Sequence, residues 1–146
     1  MFNTNQALGF LISAVNQGHE LSLGRKLKDL GITAVQGAIM DQIYQHEGIN
    51  QKTLAAYCRK DSSSLTKILD ILAKKELIVR SLDTNDRRAF KLYLTAKGTQ
   101  IVNESRPIAE FQNNLLLSGI LDEDVETTKK VLLKILDNLE NEYNKE

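Results

Sequence analysis

Apolar residues recur along most of this chain at steps of three and four, with one short interruption where they alternate. Leu8, Leu11, Ile12 and Val15 follow helical spacing, which continues to Leu27 and Leu30 before Gly31 stops it. The pattern predicts a long first helix with Leu8 to Val15 as its buried face, weakened by Gly18 and Gly24. Thr33 followed by Gln36 forms a capping box, in which hydroxyl and amide each satisfy a free backbone N–H. A second helix is therefore expected over Ala34 to about Gln45, carrying Val35, Ile39 and Ile43 and ending toward Gly48. Asn50 caps a short third helix, Gln51 to Cys58, with Leu54, Ala55 and Cys58 on one side. After a tight turn at Arg59 to Asp61, a fourth helix runs from about Ser62 to Lys75, and Leu65, Ile68, Leu69 and Leu72 make one apolar stripe. Ser63, Thr66, Lys67, Asp70 and Lys74 occupy its other face.

Two short helices joined by a tight turn, the second polar and cationic on its free face, describe a helix-turn-helix. Many helical hairpins share that outline, so the next segment decides. Leu77 to Leu82 and Arg88 to Leu94 are strand-like, and in the second Phe90, Leu92 and Leu94 alternate. Turn formers from Asp83 to Arg87 join them, so the pair reads as a hairpin with a basic tip. A hairpin directly after a recognition helix is a wing. Thr95 then caps a long fifth helix, which Pro107 is expected to kink or interrupt. Gly119 and Asp122 mark the next boundary. In the last helix Val125, Thr128, Leu132, Ile135 and Leu139 fall at alternating steps of three and four, a stripe widened by Val131 and Leu136. Such a stripe needs a partner, and with the stripe Leu8 to Val15 it exceeds what one small domain can cover. A homodimer is expected.

The fold class is mainly α: a winged helix-turn-helix with a short β-hairpin wing and long N- and C-terminal helices. The 146 residues, 42% hydrophobic and 26% charged, suit a single domain over 1–146. No apolar run approaches the roughly 18 residues of a membrane span, and no basic residue precedes Leu8 to Val15 as a secretory signal requires. One cysteine, Cys58, allows no intramolecular disulfide, and a cytoplasmic location is expected. The formal net charge is zero, yet residues 51–100 hold 11 Lys and Arg against 5 Asp and Glu. The flanks run 3 against 4 and 5 against 10. One segment thus suits a polyanion such as double-stranded DNA.

The candidate DNA-binding residues are Ser62, Ser63, Ser64, Thr66, Lys67, Lys74, Asp86, Arg87 and Arg88. Ser63, Thr66 and Lys67 are placed for bases and phosphates. Ser62 and Ser64 flank a helix start, where N–H groups and dipole favour phosphate; they could equally serve as caps. The Asp86 carboxylate is expected to hold one arginine while the other reaches DNA. No Gly-rich phosphate loop and no paired histidine and nucleophile emerge, so neither an enzyme nor a cofactor is expected. His19 and His46 are too scattered for a zinc site, and Asp122, Glu123, Asp124 and Glu126 read as an acidic first turn rather than metal ligands. Two alternatives stand beside DNA binding: a winged interaction module that has lost it, and a regulator sensing redox through Cys58, whose thiolate Arg59 and Lys60 would activate. The apolar position of Cys58 in its helix favours a small hydrophobe instead.

Leu65-Thr66-Lys67, then Asp83-Thr84-Asn85-Asp86-Arg87-Arg88, then Leu94-Thr95-Ala96-Lys97-Gly98 occur in the order seen in the MarR family of bacterial regulators, which this chain resembles over nearly its whole length. Ile32-Thr33-Ala34-Val35-Gln36 resembles the family's motif at its second helix. The resemblance implies a triangular dimer in which helices of 1–31 and 95–146 interlock and the winged parts, 32–94, reach successive major grooves of a pseudo-palindromic operator. It implies a minor-groove role for Arg88 and, in many members, a small aromatic effector. Two departures stand out. Glu76 replaces the usual glycine after the recognition helix, so another end geometry is expected. Lys67 stands where arginine is frequent, and a lysine lacks the bidentate fork that reads guanine.

Overall fold

Caps and stripes fix the order of elements. The computed structural model describes residue 3 and residues 6–86 and 88–144. Helix α1 spans Leu8–Leu27, followed by a 3₁₀ turn, Lys28–Leu30, that Gly31 closes at φ 70°. Helix α2, Ala34–Gln45, starts at the expected capping box, with Gln36 N–H donating to Thr33 Oγ1 and Thr33 N–H to Gln36 Oε1, both at 3.1 Å. A two-residue strand, β1 (Ile49–Asn50), leads into α3 (Gln51–Tyr57), which Asn50 caps. Then come α4 (Ser62–Lys74), β2 (Ile78–Leu82), β3 (Phe90–Leu94), α5 (Ala96–Leu116) and α6 (Asp122–Tyr143).

The sheet is antiparallel with order β1-β3-β2. Ile78 faces Leu94 and Leu82 faces Phe90 across the hairpin, and Ile49 pairs with Leu92 at the other edge. Strand β1 went unread in the sequence because two residues carry no alternation. Its pairing matters all the same, since it ties the wing's root to the entry of α3.

The core lies under the winged part. Ile39, Met40 and Ile43 of α2, Leu54 of α3, Leu65, Leu69 and Leu72 of α4, Leu77, Leu92 and Val102 are at most 2% exposed. Each such side chain contributes roughly 1.5–3 kcal/mol by leaving water. Helix α1 joins this core through Leu23 and Leu27, not through the residues expected. Leu8, Leu11, Ile12 and Val15 are 37–65% exposed, so the apolar face read as buried is uncovered within one chain. Helix α5 runs on through Pro107, so of the two expected outcomes the proline does not interrupt it. Val102, Ser105 and Gln112 are buried on both sides of the proline, and that packing offsets one missing N–H. Gln112 is held by Ser22 Oγ at 3.1 Å and Lys26 Nζ at 2.7 Å, which fastens α5 to α1.

Two compact units divide the chain, one up to Gln112 and one from Asn113. The second contains the end of α5, a turn through Gly119 at φ 77° and α6. No residue of α6 is buried.

Candidate nucleic-acid interface

Helix α4 is placed by its two ends. At its start the cap is Asp61, not a serine: its Oδ1 accepts the Ser64 N–H at 2.8 Å, and its Oδ2 accepts the Ser64 hydroxyl at 2.7 Å. These bonds from Ser64 hold the Asp61 carboxyl below the usual aspartate range. The Ser64 hydroxyl is thereby engaged in capping, whereas Ser62 and Ser63 are exposed.

The far end corrects the reading of Glu76. That residue adopts φ 58°, the left-handed geometry a glycine would take, and the helix closes as a Schellman motif. Leu77 N–H donates to Leu72 C=O at 3.0 Å, and Glu76 N–H donates to Ala73 C=O at 2.9 Å. Left-handed φ in a residue with a Cβ costs about 1 kcal/mol, and neighbours fix it there. The Thr95 hydroxyl donates to Glu76 C=O at 2.7 Å, and Lys97 Nζ donates to Lys75 C=O at 3.1 Å. Thr95 Oγ1 also accepts the Gly98 N–H at 3.0 Å, capping α5. A Cβ on Gly98 would lie 2.0 Å from the Leu77 carbonyl oxygen, so only glycine lets α5 approach this closely. The Leu94 to Gly98 motif therefore stitches the recognition helix to α5. The turn between α3 and α4 closes in the same way, with Arg59 at φ 49° and Lys60 N–H donating to Ala55 C=O at 3.0 Å.

On the exposed face of α4, Ser63, Lys67 and Lys74 point away from the core stripe. Asp70 stands among them, and its charge is answered by Arg80 of β2, Nη2 to Oδ1 2.8 Å. This bridge links α4 to the wing's root. It also withdraws Arg80 from the pool of cations, which sequence counting does not distinguish. Thr66 is half-buried, with its hydroxyl bonded to Ser62 C=O and to Gln51 of α3.

In the wing Asp86 braces the turn through the backbone. Its Oδ1 accepts the backbone N–H of Arg88 at 2.9 Å, and its carbonyl accepts the Ala89 N–H at 3.0 Å. Both bonds shape the turn, as the two-residue spacing of an Asx turn allows. Asp83 repeats the device on the Asn85 N–H at 2.9 Å, and Lys91 Nζ lies 3.9 Å from its Oδ1. Arg87 lies outside the described residues. Arg88 is exposed and lines a cleft of about 390 Å³ with Asn50, Gln51, Lys52, Ser62 and Phe90. The cleft brings the wing arginine and the start of α4 together. It adds Lys52 and Gln51, which sequence reading passed over; the signal was there in a lysine two residues after the Asn50 cap.

Cys58 sits at the end of α3, partly buried against the core. Burial pushes its thiol up, against a smaller opposing pull from Lys60, so the surroundings do not activate it. His46 stacks near Tyr57, ring centres 4.9 Å apart. Among the described residues, no cluster of three or more His, Cys, Asp or Glu is placed to hold a metal ion, and no helix is long and apolar enough to cross a membrane.

A family model described as MarR family matches residues 32–90. The multiple antibiotic resistance protein MarR of Salmonella typhimurium is 33% identical over 138 residues, covering 93% of this chain and 95% of that protein. Among solved structures, a mutant of Escherichia coli MarR complexed with operator DNA is similar at TM-score 0.84 and 29% identity, over 93% of this chain and 98% of that one. The Staphylococcus aureus MepR–DNA complex is similar at TM-score 0.84 and 25% identity, over 94% and 99%. With a winged helix, a capped recognition helix and relatives of this likeness, the chain belongs to the MarR family of transcriptional regulators.

Proposed function

We propose that this protein is a cytoplasmic repressor that binds a pseudo-palindromic DNA operator as a homodimer. The observation that carries the reading is the joined surface of α4 and the wing, where exposed Ser63, Lys67 and Lys74 stand on a helix clamped at both ends and exposed Arg88 shares a cleft with Ser62. Helix α4 enters the major groove with Ser63, Thr66 and Lys67 toward the bases, Ser62 and Lys74 near phosphates, Ser64 fixing the helix start through Asp61, and Arg88 in the adjacent minor groove. Asp86 holds the wing turn that presents Arg88, and Arg87 serves a phosphate. Residues 32–94 are the DNA-binding part, and helices from 1–31 and 95–146 pair with a second copy. The uncovered Leu11, Ile12 and Val15 of α1 and Leu132 and Leu139 of α6 support that pairing. The solved DNA complexes of MarR and MepR support the partner.

A small aromatic acid releases the operator. A cleft of about 520 Å³ between α1 and the start of α2 has an apolar wall that includes Leu21, Ile32 and Val35, and carries Arg25 and Lys28 for a carboxylate. Footprinting on genomic DNA tests the reading as a whole. Two protected half-sites about 10 base pairs apart, with protection lost on adding a hydroxybenzoic acid, are expected. A protein that retains no DNA overturns it in favour of an interaction module.

A further inference from the structure

Thr66 stands beside Lys67 at the edge of the free face of α4, yet its hydroxyl is already used twice. It donates to the Ser62 carbonyl at 2.8 Å and accepts from Gln51 Nε2 at 2.7 Å. A threonine hydroxyl has one proton, and here that proton is committed within the helix. Oγ1 therefore has no donor left for thymine O4 or for guanine O6 or N7. The bond to the carbonyl four residues back also selects one side-chain rotamer of the two a helical threonine can take. Its second lone pair can only accept, from an adenine or cytosine amino group, and a thymine edge offers no such donor, so the group left to meet a thymine is the Cγ2 methyl. In the major groove only a thymine offers a methyl of its own.

We propose that Thr66 reads a thymine in each half-site through methyl contact and not through its hydroxyl. The inference rests on the DNA-binding reading above. Its test uses an operator duplex selected by the intact protein from a random-sequence pool, with each thymine replaced in turn by deoxyuridine, which removes only the methyl. The parent loses about fourfold in affinity at one thymine per half-site, the value of one buried methyl-sized group. Thr66→Ser keeps both hydrogen bonds and binds thymine and deoxyuridine equally at that position. Thr66→Val loses the hydroxyl and keeps the fourfold ratio, whatever its absolute affinity, with circular dichroism verifying that both variants are folded. A serine variant that still discriminates, a valine variant that does not, or a parent indifferent to every replacement overturns the inference alone. A parent that selects no duplex overturns the DNA-binding reading and this inference with it.

Discussion

Helices α4 and α6 are both amphipathic, and the fold treats their apolar stripes differently. Leu65, Leu69 and Leu72 of α4 are fully buried within the chain, whereas Leu132 and Leu139 of α6 remain 38% and 48% exposed. Periodicity announces that a face needs cover but not where the cover comes from. In α4 the cover is intramolecular and the free polar face is left for a ligand. In α6 the apolar face itself is free, and its acidic first turn, Asp122, Glu123 and Asp124, lies at the positive end of the helix dipole.

The sharpest way to break this contrast is to damage each stripe in turn. Leu132→Asp is expected to leave the fold intact and abolish dimerisation, seen as a monomer in light scattering. A dimer unchanged by it would place the interface elsewhere. Leu69→Ala is expected to cost about 2–5 kcal/mol in denaturant unfolding, because its site has no solvent to fill the gap.

Gly98→Ala ranks next. A methyl 2.0 Å from the Leu77 carbonyl oxygen forces α5 and the end of α4 apart, at about 1–3 kcal/mol by the usual cost of overpacking. Operator affinity is expected to fall further than stability does, since the Thr95 and Lys97 bonds to Glu76 and Lys75 are strained together. Equal losses in thermal melting and binding would make the motif merely structural.

Much of this was legible because caps are local. Thr33 with Gln36, Asn50 and Thr95 each begin a helix where their spacing places it. What escaped depends on distant neighbours. Glu76 takes a glycine's geometry because Thr95, nineteen residues on, holds its carbonyl. Pro107 stays inside a helix because buried residues flank it. The neutralisation of Asp70 by Arg80 and the engagement of Thr66 by Gln51 join separate elements, so no window of sequence reveals them. Asp61 was the exception: a local cap sat one residue before the serines that drew attention.

The smallest effect is expected at Cys58. Its thiol, pushed up by burial, stays protonated at neutral pH, so Cys58→Ser and the parent should respond alike to mild peroxide in a mobility shift. Loss of binding in the oxidised parent alone would identify a sensor.

DNA recognition by the joined surface of α4 and the wing is tested most directly by the salt dependence of operator affinity. For the parent, log affinity should fall linearly with log salt, with a slope of about −0.9 for each phosphate neutralised. For the Arg88→Ala dimer the slope should be shallower by about 1.8, one contact per subunit, with preference for A·T-rich flanks flattened and circular dichroism unchanged. A parent with a flat salt response, or an Arg88→Ala protein that matches the parent in slope and flank preference, would contradict it.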